Sequence, residues 1–69
     1  MKLTIETERE ADGRWIGAVP EIPGALAYGA TESEAAAKAE ALALRILADR
    51  LDHGESKPVD VTIRVTAAE

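Results

Sequence analysis

Residues 31–54 hold one uninterrupted helical pattern, and the rest of the 69-residue chain has to be arranged around it. Thr31-Glu32-Ser33-Glu34 is a capping box, with Thr31 as N-cap and Glu34 three positions on. Acids in this first turn suit the positive end of the helix dipole. Gly54 supplies the stop, so the spacing predicts a helix from about Glu32 to His53. Laid out at about 100° per residue, that helix carries two apolar stripes. Ala35, Ala39, Leu42, Ala43 and Ile46 form one; Ala37, Ala41, Leu44, Ala48 and Leu51 form the other, nearly opposite. Glu34, Lys38, Arg45, Asp49 and Asp52 fill a polar wedge between them, with Glu34 and Lys38 in the favourable i,i+4 order. One sheet covers one stripe only, and the pattern leaves open which. The uncovered stripe is either an interface or an exposed alanine surface. Leu44 and Leu51, one heptad apart, favour the second stripe as the interface of a homo-oligomer.

The flanking segments alternate as strands do. Leu3, Ile5 and Thr7 fall on one side of the first, Lys2, Thr4, Glu6 and Glu8 on the other. Asp12-Gly13 signals a hairpin, with a return strand from Arg14 to Val19. A two-residue type I′ turn there would place Ile16 and Ala18 on the core face with Leu3 and Ile5. Trp15, Gly17 and Val19 would then join Glu6 and Glu8 on the other face. Pro20-Glu21-Ile22-Pro23-Gly24 halts the ladder as a rigid loop with a partly buried Ile22. A short third strand, Ala25 to Tyr28, ends at Gly29. Pro58 opens the last strand, in which Val59, Val61, Ile63 and Val65 alternate with polar residues. The order β-β-β-α-β predicts an α+β fold, one helix packed on one face of a small, mainly antiparallel sheet, in a single domain over residues 1–69.

Chemistry is sparse in this chain. It has no cysteine and one histidine, His53, which removes disulfides, thiolate zinc sites and a Cys nucleophile. His53 sits where it would meet the last helical carbonyls. The net charge of −5 opposes direct nucleic-acid binding and favours a basic protein partner. No apolar run approaches a membrane span and no signal peptide is evident, so the expected setting is cytoplasmic. A chain of this length buries roughly 60% of its unfolded surface, and alanine adds little area per residue, so association is the expected supplement. No glycine loop cradles a phosphate, and no cofactor is expected. A carboxylate nuclease could be built on Glu6, Glu8 and Asp60, although all three fall in the polar half of an alternating pattern. Trp15 and Tyr28, the only aromatics, read either as core cover or as anchors at a protein interface.

Taken together, Asp12-Gly13-Arg14-Trp15-Ile16-Gly17-Ala18-Val19-Pro20-Glu21-Ile22-Pro23-Gly24, then Tyr28-Gly29-Ala30-Thr31, then Glu34-Ala35, resembles the HicB-like antitoxin family. The resemblance runs from the first strand to the helix end. It implies a partial ribonuclease-H-like fold like that of the HicB N-terminal domain, without catalytic residues. It also implies assembly into dimers or tetramers, and the masking of a small basic RNase toxin in a type II toxin-antitoxin system. Family members often add a C-terminal DNA-binding domain. Here the chain stops at Glu69, directly after the last strand, so none is expected. On this reading Trp15, Pro20, Glu21, Pro23, Gly24 and Tyr28 are the candidate partner-binding residues. Glu6, Glu8, Glu21 and Asp60 would supply electrostatic steering. The alternative is an orphan structural or regulatory homo-oligomer with no toxin partner.

Overall fold

A computed structural model of the chain describes residues 1–66; residues 67–69, which the single-domain reading includes, lie outside them. The elements are β1 (Lys2–Arg9), β2 (Trp15–Ala18), β3 (Leu26–Gly29), α1 (Glu32–Asp52) and β4 (Thr62–Thr66). They form one four-stranded sheet in the order β3-β2-β1-β4. The first three strands are antiparallel neighbours, and α1 carries the chain across to β4, which pairs parallel to β1. This is the expected α+β arrangement, one helix on a small mixed sheet.

The hairpin turn departs from expectation, and the departure reverses a strand. Gly13 N–H donates to Glu10 O at 2.9 Å, and Glu10 N–H donates to Arg14 O at 2.7 Å. The loop is therefore three residues, Ala11 to Gly13, and only its glycine takes positive φ, at 91°. A type I′ turn would require positive φ at Asp12 as well; the three-residue loop with a left-handed glycine does not. The extra loop residue sets Thr7 opposite Gly17 and Glu8 opposite Ile16. Because side chains alternate, every residue of β2 changes face. Trp15, Gly17 and Val19 lie on the helix side with Leu3 and Ile5. Ile16 and Ala18 lie on the far side with Glu6 and Glu8.

The helix settles which stripe is internal. Ala35, Ala39, Ala43 and Leu47 are its buried residues, an i,i+4 ridge laid on the sheet. Half-buried Ile46 and Ala36 pack against the core from the ridge's flanks; Leu42 is half-buried as well. Small residues meet small residues here. A Cβ on Gly17 would lie 2.4 Å from Ala35 O, and one on Gly29 would lie 2.6 Å from Ala35 N. Glycine at these two sheet positions lets the helix backbone descend onto the strands. The capping box forms with Thr31 Oγ1 accepting from Glu34 N–H at 3.1 Å. Glu34 reaches back to the N–H of Ala30, one residue before the cap.

Leu3, Ile5, Val19, Ile22, Ala25, Ala39, Ala43 and Leu47 make up the core. Ile22 is wholly buried, at 1% exposure, where partial burial was expected. Two successive turns push it inward. Ile22 N–H donates to Val19 O and Ala25 N–H to Ile22 O, both at 3.0 Å. The second turn has Pro23 then Gly24 at φ 91°, the residue pair a type II turn requires.

The last strand is shorter than the alternation suggested. It begins at Thr62, not Pro58, leaving Val59 and Val61 exposed and outside the ladder. Partners on β1 start with Lys2, opposite Thr62. Before that point, Thr62 N–H donates to Met1 O at 2.8 Å, and the terminal ammonium donates to Asp60 O. α1 lies over β3, β2 and β1. Val65 on β4 accordingly stays exposed.

Candidate interaction surfaces

Packing small residues under the helix sends the large ones outward. On β3 and β2, Ala27, Gly17 and Gly29 share the helix side. Leu26 and Tyr28 pair with Ala18 and Ile16 on the opposite face. Leu26 is 51% exposed and Tyr28 41%. Together with half-buried Ile16 and Ala18 they form an apolar strip that no element of the described chain covers. Glu6 and Glu8 on β1 border it, opposite Ala18 and Ile16 respectively. The β1–β4 half of the same face is polar, with Lys2, Thr4, Thr62 and Arg64.

Two charged contacts fix the rim of this strip. The Arg14 guanidinium lies 4.6 Å from the centroid of the Tyr28 ring, a cation–π contact. Arg14 Nε also donates to Asp12 Oδ2 at 2.8 Å, and Arg14 N–H donates to Asp12 Oδ1 at 3.0 Å. The hydrogen bond from the Arg14 backbone, with help from its side chain and charge, holds the Asp12 carboxyl below its ordinary range. At the other end, Glu21 Oε1 accepts from Thr4 N–H at 2.9 Å. Thr4 lies two residues before Glu6, where the pairing of β1 with β2 stops at Ala18. The loop carboxylate thus takes over a strand donor, and that bond lowers the Glu21 pKa.

The candidate partner-binding residues divide into two groups. Pro20, Glu21, Pro23 and Gly24 are exposed on the loop. Gly24 O accepts from Leu26 N–H at 3.0 Å, so the loop runs directly into the apolar strip that holds Tyr28. Trp15 is not part of that group. It sits at the far end of β2 from the loop, on the helix side of the sheet, between Arg9 and Gly29. It is half-buried, and its β3 partner Gly29 lies beneath the first turn of α1. Sequence reasoning missed Leu26, Ile16 and Ala18 as companions of Tyr28. The signal lay in Ala25-Leu26-Ala27-Tyr28, where small and large residues alternate and the small ones share parity with Gly29.

A second apolar surface runs along the back of α1. Leu44 is 40% exposed and Leu51 42%. Ala37 and Ala48 are exposed and Ala41 half-buried in the same stripe. These are the five residues expected at a homo-oligomer interface, and they lie on the side of the helix away from the sheet.

The carboxylates of the nuclease alternative are dispersed. Glu6 and Glu8 are exposed on β1, while Asp60 is exposed ahead of β4. Among the described residues no three His, Cys, Asp or Glu side chains converge to hold a metal ion. His53 does what its position suggested: its Nδ1 lies 2.8 Å from Asp49 O, at the helix end. No helix among the described residues is long and apolar enough to cross a membrane. Compared with protein-family models, curated proteins and solved structures, the chain finds no match.

Proposed function

We propose that this chain is a non-enzymatic protein-binding module, antitoxin-like, that works in the cytoplasm as a homo-oligomer and masks a small basic RNase. The observation that carries the reading is the uncovered strip of Leu26, Tyr28, Ile16 and Ala18. It adjoins a rigid Pro-Gly loop and is bordered by Glu6 and Glu8. An exposed aromatic on an apolar patch is the common anchor of a protein interface. Acids beside it, and a net charge of −5, steer a cationic partner and orient its approach. The resemblance of the Pro-Glu-Ile-Pro-Gly loop and the Gly-Ala-Thr-Glu-Ser-Glu-Ala helix start to HicB-like antitoxins narrows that partner to an RNase toxin.

The test is to look for a small basic protein encoded beside the chain and to purify the two together; a chain with no such neighbour favours the orphan homo-oligomer. Binding is measured by calorimetry, and inhibition by an RNA-cleavage assay. The expected result is a stable complex with cleavage suppressed. The double substitution Leu26→Ala/Tyr28→Ala should weaken it by a hundredfold or so, the size of effect two interface anchors produce. Trp15→Ala, on the other side of the sheet, separates the two groups of candidate residues. A large loss from Trp15→Ala with none from Leu26→Ala/Tyr28→Ala would move the binding surface to the helix side. A basic neighbour that neither binds nor is inhibited would overturn the antitoxin reading in favour of the orphan homo-oligomer.

A further inference from the structure

We propose that α1 pairs back to back with α1 of a second copy of this chain, as a short antiparallel coiled coil in which every leucine packs against an alanine. The inference rests on the self-association in the proposed function and specifies how it is achieved.

Three features of the exposed stripe point to a second copy of the same helix. Its residues are spaced 4-3-4-3 from Ala37 through Ala41, Leu44 and Ala48 to Leu51, which is the heptad seam of a two-helix contact. A helix that merely rests on a sheet shows a broader stripe, as the other side of α1 does with Ala35, Ala39, Ala43 and Leu47. From Ala41 on, the seam also alternates small and large in a way that fits its own reversal. With a two-fold axis level with Ile46, Ala41 faces Leu51 of the partner subunit, and Leu44 faces Ala48 of the partner subunit. Symmetry repeats both pairs, giving four layers of one leucine and one alanine each. Such layers let the axes approach to about 8 Å, the close end of helix packing.

Charge selects the same register. Lys38 and Asp52 flank the seam on one side, and the axis at Ile46 brings Lys38 beside Asp52 of the partner subunit, twice per dimer. Lys38 is exposed and lies 3.5 Å from Glu34, so its ammonium is already held on that side of the helix. Sliding the pair by one heptad, so that Leu44 faces Ala41 instead, brings Lys38 towards Arg45 of the partner subunit. That register is opposed by like charge. In the favoured one the Arg45 side chains approach each other near the axis, one like-charge contact against two Lys38–Asp52 pairs.

The assembly has four layers, sheet–helix–helix–sheet. Both strips of Leu26 and Tyr28 then face outward, so self-association leaves the proposed partner surface open on each protomer.

Sedimentation of the full chain across a concentration series reads the association constant. The wild type is expected to dimerise, and Leu44→Glu/Leu51→Glu to sediment as a monomer with its circular-dichroism spectrum retained. Should that variant fail to fold, charge reversal decides the matter, because it touches only exposed side chains. Lys38→Asp and Asp52→Lys should each weaken the dimer about tenfold at low salt, and the double variant should recover most of the loss. Ala41→Leu/Ala48→Leu should also weaken it, despite the added apolar area. A wild type that stays monomeric overturns both this pairing and the self-association it rests on. A dimer indifferent to these substitutions overturns the helix pairing alone.

Discussion

Gly17 and the carbonyl of Ala35 are so close that a methyl group on the glycine would sit 2.4 Å from the oxygen. The contact joins the middle of β2 to the first turn of α1, and it sets the depth at which the helix rides on the sheet. Gly29, whose added Cβ would meet Ala35 N at 2.6 Å, repeats the arrangement one strand over. Both obstacles are backbone atoms, which cannot rotate away as a side chain would.

Gly17→Ala is therefore expected to destabilise the chain by about 3 kcal/mol, because the whole helix must lift to admit one methyl group. Gly13→Ala meets nothing within 4 Å and carries only the strain of its positive φ. Its cost should be about 1 kcal/mol. Urea titration of both variants beside the wild type separates a packing clash from a turn effect.

Ile22 should behave as a core residue although it lies in a loop. Ile22→Ala is expected to cost about 3 kcal/mol, as truncation of a buried aliphatic side chain does. Pro23→Ala, at an exposed turn position, should lose less than about 1 kcal/mol through added freedom in the unfolded chain. The contrast in denaturant midpoints measures how firmly the loop is pinned by Ile22.

Acid should weaken the fold through three exposed carboxyls. Asp12, Glu21 and Glu34 each have a lowered pKa in the folded chain, caused first by a backbone N–H from Arg14, Thr4 and Ala30 respectively. A depressed carboxyl contributes stability above its unfolded pKa and loses it as pH falls through the folded one. Stability should hold from neutral pH down to about the unfolded glutamate value of 4.5 and decline below it. Glu21→Gln should make that decline shallower, and thermal melts across a pH series would record it.

The helix start offers a check on the capping box. Thr31→Ala removes the acceptor for Glu34 N–H and should cost about 1 kcal/mol. Loss of helix confined to the first turn, followed by amide exchange at Glu34 and Ala35, is the expected signature.

Much of this architecture was legible residue by residue. The helix limits came from Thr31, Glu34 and Gly54, each of which acts on its own backbone neighbourhood. His53 at the last carbonyls and the Glu34–Lys38 pair were local for the same reason. The hairpin register was not legible. Asp12-Gly13 is compatible with loops of two or three residues, and the difference of one residue moves Gly17 from solvent to the helix and Ile16 the other way. The same ambiguity hid the strip of Leu26 and Tyr28 and separated Trp15 from the loop residues with which it had been grouped.

The amino-acid order alone determined the limits of the helix and of the first three strands to within about one residue, though not the start of β4, and that α1 has two apolar sides. Those properties depend on contacts between residues three or four apart, or on alternation along one strand. Only the tertiary structure decided which side of α1 lies on the sheet, and that small residues would occupy the inner layer while Leu26 and Tyr28 turned outward. The reason is steric: Gly17 and Gly29 lie 12 residues apart in the chain, and they act together only once β2 and β3 are paired beneath Ala35.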